Sequence, residues 1–303
     1  MGHEIVGWMA RAGKNASRRW SAKEGDRVVV ESFIRCGYCK RCLVGDYRFC
    51  ENGFSLGTSR STSVPPHLWG AYAEYMYLPP GAVLHPLPEK VPPQAGVLVN
   101  AVLSNAIRWG RVEGNFSIGD AVVIQGVGPQ GLALVVVAQA SGCSPIIVTG
   151  LSRDSERFKL AREFGADFVI DAENESVVER VRDLTHGQMA DVVVDVAANP
   201  KATALSIDLV KARGSVVVPT VVGTESTTSL PMDRMVHKDI KLIGVFSSDS
   251  HTVGRAIKLV ESGRYPIEKM VTHTFPLEQA ERAVQTAAGH FKDIYPIKCV
   301  IVP

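Results

Sequence analysis

The chain has 303 residues, of which 46% are hydrophobic, and this is long and apolar enough to bury the cores of two domains. Its composition excludes disordered and fibrous proteins. With 33 basic and 31 acidic residues the formal net charge is +2, and no basic stripe is interleaved with aromatic residues, so no nucleic-acid partner is predicted.

No segment of the sequence predicts a membrane span or a secretory signal. The longest stretch without Asp, Glu, Lys or Arg runs from Ala121 to Ser152, but closely spaced glycines divide it into pieces too short to cross a bilayer. At the N-terminus, no basic segment precedes an apolar run. We therefore expect no membrane partner and a cytoplasmic, reducing compartment.

The N-terminal part of the chain predicts an irregular β domain. Short β patterns alternate with turn residues, and the clearest predicted strands are Asp26–Val30 and Tyr72–Tyr77. After Pro92-Pro93, a mostly apolar run from Gln94 to Trp109 predicts a helix.

Four cysteines in this part have the spacing of a zinc site. Cys36, Cys39, Cys42 and Cys50 are separated by two, two and seven residues, and four thiolates suffice for a closed tetrahedral zinc site. An iron–sulfur cluster and disulfide bonds remain open as alternatives, although both are less typical of this spacing in a chain without a secretory signal. Because sulfur would fill all four positions, the predicted role of the zinc is structural.

Strands and helices alternate between residues 98 and 245. The strands are nearly all apolar, which is typical of parallel strands covered by helices on both faces. They are Val122–Ile124, Ile146–Val148, Phe168–Ile170, Val192–Val194 and Val216–Val218. The helices between them include Ser155–Phe164, Ser176–Leu184 and a segment that begins at Asn199-Pro200 and ends at Gly214. This pattern predicts an α/β fold with a doubly wound parallel sheet.

The first strand of this sheet leads into a glycine-rich turn and a helix from Leu132 to Ala140, the order that a dinucleotide fingerprint requires. Gly126 permits a tight turn, Gly128 lets the backbone approach a pyrophosphate, and Gly131 allows close packing of helix and strand. The helix N-terminus would face the anion. The whole predicted cofactor turn is Gly126, Val127, Gly128, Pro129, Gln130 and Gly131.

The end of the next strand bears on the choice of cofactor. About 20 positions after the last glycine, an acidic residue would accept a hydrogen bond from a free ribose 2′-hydroxyl. The chain has Gly150 there, and Ser152, Arg153 and Arg157 lie within reach of a 2′-phosphate. We therefore expect NADP(H) to be favoured over NAD(H), although Asp154 would weaken a phosphate pocket.

Beyond the sheet, residues 246–303 predict two helices and a closing strand. These are Val253–Ser262, Leu277–Ala288 and Ile297–Val302.

Together these features resemble a zinc-containing, alcohol dehydrogenase-like member of the medium-chain dehydrogenase/reductase superfamily. The segments that carry the resemblance are Gly2-His3-Glu4, the four cysteines, Gly70–Tyr75, the glycine turn and Val271–Leu277. The resemblance implies a GroES-like catalytic domain at 1–97, a Rossmann domain at 98–245 and a return to the catalytic domain at 246–303. It also implies a homodimer or homotetramer.

In that family the histidine of the Gly-His-Glu motif is a catalytic zinc ligand, so the resemblance assigns this role to His3 and a neighbouring or exchange role to Glu4. The family places a further cysteine ligand and a proton-relaying hydroxyl before this motif, and we expect the catalytic domain to be incomplete without them. The third ligand would fall near Val97 or Leu98, which cannot bind zinc, and Asn100 is a poor ligand. The resemblance therefore implies a partial catalytic zinc site.

The implied function is a zinc-type alcohol or polyol dehydrogenase that transfers hydride between NAD(P)(H) and an alcohol or carbonyl substrate, possessing little activity if the catalytic domain is incomplete. Two alternatives remain open. One is a zinc-independent NADPH reductase, which the apolar Val97 and Leu98 favour, and the other is a catalytically dead NADPH-binding protein.

Overall fold

The structure, a computed structural model, describes residues 1–291 and 293–303 and divides the chain into two compact units. One unit comprises Met1–Ser104 and Ser248–Pro303, and the other comprises Asn105–Ser247. The sequence-based domains, 1–97, 98–245 and 246–303, stay a proposal about the parts of the chain that fold together.

The first unit begins with short strands around a small apolar core. The elements of its N-terminal part are β1 (Ile5–Trp8), α1 (Lys14–Trp20), β2 (Arg27–Val30), β3 (Phe33–Ile34), α2 (Lys40–Leu43), β4 (Phe54–Ser55), β5 (Leu84–Pro86) and α3 (Pro93–Gly96). An antiparallel sheet has the order β1-β2-β5, and β3 pairs with β4. Val28 and Val30 point to one face of β2 and pack in one core with Ile5, Leu56 and Trp69.

The prediction of a strand at Tyr72–Tyr77 is wrong, because this stretch consists of bends and irregular backbone. The Tyr72 N–H donates to the carbonyl of Met1 (3.2 Å), and the Tyr77 N–H donates to the carbonyl of Leu68 (2.9 Å). These bonds go to separate segments and form no ladder, so the aromatic residues that raise strand propensity do not decide the backbone conformation.

The helix predicted from Gln94 to Trp109 is interrupted. After α3, a turn at Val97 and Leu98 precedes a π-helical turn at Val99–Leu103, the short α4 (Ser104–Ala106) and a second π-helical turn at Ile107–Glu113. Val97, Leu98 and Asn100 are all buried, with exposed fractions of 8%, 0% and 4%. The apolar pattern therefore marks a buried helical segment, with wider turns than an α-helix.

The second unit is built on a six-stranded parallel sheet. Its elements are β6 (Val122–Gln125), α5 (Pro129–Ala140), β7 (Ile146–Gly150), α6 (Ser155–Glu163), β8 (Phe168–Asp171), α7 (Val177–Leu184), β9 (Ala190–Asp195), α8 (Pro200–Leu209), β10 (Val210–Val218), α9 (Met232–His237) and β11 (Lys241–Gly244). The strand order is β8-β7-β6-β9-β10-β11. When the six strands are numbered along the chain, this order is 3-2-1-4-5-6. This is the order of the doubly wound dinucleotide-binding sheet, and the five predicted strands are confirmed.

The helix predicted to run from Asn199-Pro200 to Gly214 ends at Leu209 instead. Val210 already has extended backbone (φ −87°, ψ 143°) and pairs with Ala190 of β9. Gly214 therefore lies within β10 and does not cap a helix. Pairing with a neighbouring strand, which a local pattern does not contain, decides where this helix stops.

The chain returns to the first unit after Ser247. The final elements are α10 (Ser250–Glu261), β12 (Val271–Pro276), α11 (Ala280–Ala287) and β13 (Lys298–Val302), and β12 pairs in parallel with β13. The predicted helices and strand are present, and α10 starts earlier than predicted because the Asp249 side chain accepts the Thr252 N–H. Within the described residues, no helix has the length and apolar character needed to cross a bilayer.

Candidate functional site

The four predicted zinc ligands come together at one point, here named the cysteine cluster (Cys36, Cys39, Cys42 and Cys50). Their Sγ atoms lie within 4.8 Å of one another, and the Cys36–Cys42 and Cys39–Cys50 sulfur pairs are both 3.9 Å apart. Four sulfurs at about 2.3 Å from a tetrahedral zinc would be about 3.8 Å apart. A disulfide would require about 2.05 Å, and the cysteines are free thiols. The donor set and its spacing fit a closed zinc site.

Local hydrogen bonds favour the metal-binding thiolate at two of these cysteines. Desolvation opposes ionisation of Cys36, but hydrogen bonds from the backbone of Tyr38 and Cys39 and from neighbouring thiols lower its pKa to about 6. Backbone hydrogen bonds at Cys42 and Glu51 likewise lower the pKa of Cys39. Desolvation raises the pKa of Cys42 to about 12, an effect that a coordinated cation would reverse.

The glycine turn joins β6 to α5 at the carboxyl end of the sheet. Gly126 has φ +101°, in the left-handed region that favours glycine. Helix α5 begins at Pro129, three residues before the predicted start, with Gly128 as its N-cap. A Cβ on Gly131 would lie 1.9 Å from the Gly126 carbonyl oxygen, whereas a Cβ on Gly128 would meet no atom within 4 Å. Gly131 therefore serves packing, and Gly128 faces open space at a helix N-terminus, where an anion is stabilised.

Replacement of these two glycines should affect stability and dinucleotide binding differently. Gly131→Ala should push α5 away from β6, destabilise the protein by about 1–3 kcal/mol and weaken dinucleotide binding. Gly128→Ala should cost less stability than Gly131→Ala, since its φ of −70° suits alanine and no atom lies within 4 Å of the added Cβ, but should still weaken binding. Thermal unfolding and dinucleotide titration of both variants check this, and equal stability of the two variants would contradict it.

The residues predicted to lie beside the ribose follow the end of β7. Gly150 is its buried last residue, and a Cβ there would lie 2.9 Å from side-chain atoms of Val127 and Phe158. Ser152 and Arg153 are exposed in the 3₁₀ turn that follows. Of the turn residues not yet described, Val127 is buried and Gln130 is half-buried in the first turn of α5.

A buried carboxylate at the carboxyl end of β9 was missed in the sequence. Asp195 accepts hydrogen bonds from the Thr203 hydroxyl (2.6 Å) and from the Ala197 N–H (3.1 Å), and burial raises its pKa. A cavity of about 150 Å³ lies beside it and is also lined by Thr220. The signal was an acidic residue ending an apolar parallel strand, because ligands of such sheets bind outside the carboxyl ends.

His3 and Glu4 immediately precede β1. His3 is exposed, and the half-buried Glu4 forms an ion pair with Lys298 of β13, a contact that the sequence did not reveal. Tyr72 lies nearby, and burial together with the charge of Glu4 raises its pKa. Among residues 1–291 and 293–303, the cysteine cluster alone brings together three or more His, Cys, Asp or Glu side chains that could hold a metal ion. Neither His3 nor Glu4 belongs to it.

A polar group centred on a buried carboxylate was also missed, here named the Glu31 network (Glu31, Tyr47, His85 and Ser250). Glu31 follows β2 and is 2% exposed. Its carboxylate accepts the Tyr47 hydroxyl, the Ser250 hydroxyl (2.5 Å) and His85 Nε2 (2.7 Å). The Ser250 N–H, in the first turn of α10, donates to the Tyr47 oxygen (2.7 Å). Tyr47 lies between two of the predicted zinc ligands in the sequence, so the network ties the cysteine cluster to β2, β5 and α10.

Comparison with known proteins accounts for both parts of the chain. The Alcohol dehydrogenase GroES-like domain matches residues 1–89, and the Zinc-binding dehydrogenase domain matches residues 129–262. A probable alcohol dehydrogenase of Mycobacterium tuberculosis is 36% identical over 307 residues, which cover 100% of this chain and 83% of that protein. The chain belongs to the zinc-binding alcohol dehydrogenase family.

Other relatives agree with this assignment. The erythritol/L-threitol dehydrogenase of Mycolicibacterium smegmatis is 30% identical over 95% of this chain and 76% of its own length. An alcohol dehydrogenase of Thermotoga maritima superposes with a TM-score of 0.89 at 26% identity, and one of Thermus sp. ATN1 with 0.85 at 28%, each covering 100% of this chain and 83% of the other. The predicted family and the α/β fold with GroES-like and Rossmann parts are thereby confirmed.

Proposed function

We propose that this protein is an NAD(P)-dependent, zinc-type oxidoreductase that interconverts alcohols or polyols and their carbonyl products. The observation that carries the proposal is the glycine turn at the carboxyl end of a parallel sheet with the dinucleotide-binding strand order. Relatives named for alcohol and for erythritol/L-threitol support CH–OH donors as the substrate class.

The residues of the second unit fit a nicotinamide dinucleotide. The open space at Gly128 and the N–H groups at the start of α5 would hold the pyrophosphate. Asp195, held by Thr203, would fix the backbone of Ala197 at the edge where the ligand binds. The closely packed apolar strands below this edge exclude water from the sheet side of the site.

The residues of the first unit fit the zinc assignment in part. The cysteine cluster would hold a structural zinc, since its four thiols leave no position for substrate. His3 would act as a catalytic zinc ligand, as the resemblance implies. Glu4 would lie beside this site without binding the metal, because its carboxylate is already paired with the charge of Lys298. A catalytic zinc and the nicotinamide would supply a Lewis acid and a hydride carrier.

Self-association is part of the proposal. Strand β11 forms one edge of the parallel sheet, and the exposed Leu242 lies on it. An edge strand carries backbone groups that can pair with a second copy of the chain. A homodimer or homotetramer built on this edge would appear in the mass measured by light scattering.

The activity is tested with the purified chain, its zinc content and a panel of primary alcohols, secondary alcohols and polyols. We expect reduction of NAD⁺ or NADP⁺ with at least one of them, and loss of the reaction when a chelator removes zinc. Tight dinucleotide binding without oxidoreduction of any alcohol or carbonyl would overturn the proposal and leave an inactive binding protein.

A further inference from the structure

The end of β7 lies next to an acidic turn, residues 171–175, that follows β8. Gly150, the last residue of β7, pairs with Asp171, the last residue of β8, and the Ala172 N–H donates to the Gly150 carbonyl (2.9 Å). The acidic turn therefore stands beside the position where a dinucleotide fingerprint expects a ribose-binding carboxylate. Strand β7 itself contains no acidic residue.

Two carboxylates of the acidic turn bind Ser152. Its hydroxyl donates to Asp171 Oδ2 (2.6 Å), and its backbone N–H donates to Glu173 Oε2 (2.8 Å). Both donors that Ser152 could offer a 2′-phosphate are thus directed at negative groups. Because Ser152 and Glu173 are exposed, the arrangement is open to an approaching nucleotide.

The carboxylates are held in place before any ligand binds. Asn174 Nδ2 donates to Asp171 Oδ2 (2.7 Å) and to the Ser152 hydroxyl oxygen (3.0 Å), and the Glu173 N–H donates to Asp171 Oδ1 (3.0 Å). The hydrogen bond from Ser152 is the leading cause that lowers the pKa of Asp171, so this carboxylate is ionised at neutral pH. The negative charge is therefore fixed in position.

The cations near this point are partly compensated. Arg157 Nη1 pairs with Asp154 Oδ1 at 2.9 Å. Arg153 is exposed and adjacent in sequence to the same aspartate. This part of the site therefore contains two arginines and three carboxylates, those of Asp154, Asp171 and Glu173. A 2′-phosphate would add a further negative charge of about −1.5 to −2.

We propose that Asp171 and Glu173, reaching across from β8, make the nucleotide site selective for NAD(H), whose ribose carries a 2′-hydroxyl. A hydroxyl can donate a hydrogen bond to these carboxylates, whereas a phosphate is repelled by them. The inference rests on the proposed dinucleotide function. It runs opposite to the preference for NADP(H) drawn from Gly150, Ser152 and Arg153 in the sequence.

The test is fluorescence titration of the purified full chain with NADH and, separately, with NADPH. The readout is the ratio of the two dissociation constants, which a general loss of structure would not shift toward NADPH. The wild type should bind NADH about tenfold more tightly or better, and the variant Asp171→Asn/Glu173→Gln should shift the ratio about tenfold toward NADPH. Asp183→Asn is the matched control, since it removes one exposed carboxylate at the end of α7, beside the amino ends of β6 and β7, and should leave the ratio unchanged.

A gain in NADPH affinity in the double variant supports the inference, because misfolding cannot produce it. A wild type that binds NADPH as tightly as NADH overturns it, and so does a ratio that the double variant leaves unchanged. Binding of neither dinucleotide would overturn the proposed function itself, and this inference with it.

Discussion

Replacing Cys50 with serine should remove zinc from the cysteine cluster and lower the midpoint of thermal unfolding by roughly 10 °C. The free energy of metal binding contributes to folding wherever the unfolded chain lacks a preformed site. Three thiolates and a hydroxyl bind zinc more weakly than four thiolates, because a serine hydroxyl does not ionise at neutral pH. Zinc per chain by mass spectrometry and scanning calorimetry measure the two effects.

Cys143 provides the matched control for this prediction. It is a buried thiol in the second unit, its sulfur donates to the Ser117 carbonyl (3.4 Å), and burial raises its pKa to about 11. Cys143→Ser should therefore keep the wild-type zinc content. Unchanged zinc in Cys50→Ser, or equal loss in both variants, would contradict a zinc site at the cysteine cluster.

The parts of the site that the sequence predicts are those made of neighbouring residues. The four cysteines fall within fifteen positions, and the glycine turn needs only the strand before it and the helix after it. The strands were found because buried parallel strands are apolar throughout. Local composition failed at Tyr72–Tyr77 and at the end of α8, where the backbone partners decide the conformation.

Groups that meet only in the folded chain could not be predicted. Glu31 lies 54 residues from His85 and 219 from Ser250, and none of these residues stands in a recognisable motif. The same holds for Ser152 and Asp171, which are 19 residues apart and meet because β7 and β8 are adjacent. The prediction of NADP(H) from the sequence used only the residues at the end of β7. In the structure, carboxylates that follow or end β8 also lie beside this position.

The second large effect concerns the Glu31 network. Glu31→Ala should lower the free energy of unfolding by about 3–5 kcal/mol, because it leaves the buried Tyr47 hydroxyl and the half-buried Ser250 hydroxyl without their shared acceptor. Tyr47→Phe should cost less, about 1–3 kcal/mol, since it removes one donor and the acceptor of the Ser250 N–H. Burial and the charge of Glu31 both raise the pKa of Tyr47, so its hydroxyl remains a donor at neutral pH. Urea unfolding of the zinc-loaded protein measures both changes.

A double-mutant cycle separates the network from two unrelated losses. If Tyr47 and Glu31 act through their shared hydrogen bond, the double variant should be about 1 kcal/mol or more less destabilised than the sum of the single variants. Glu156→Gln is the control, because Glu156 of α6 pairs with Lys159 at 2.6 Å, both side chains are largely exposed, and loss of the pair should change stability by no more than about 0.5 kcal/mol. Additive single effects would show that Tyr47 does not tie the cysteine cluster to α10. A coupling energy of this size would mean that the segment with the predicted zinc ligands and the first turn of α10 are stabilised together, through one buried carboxylate.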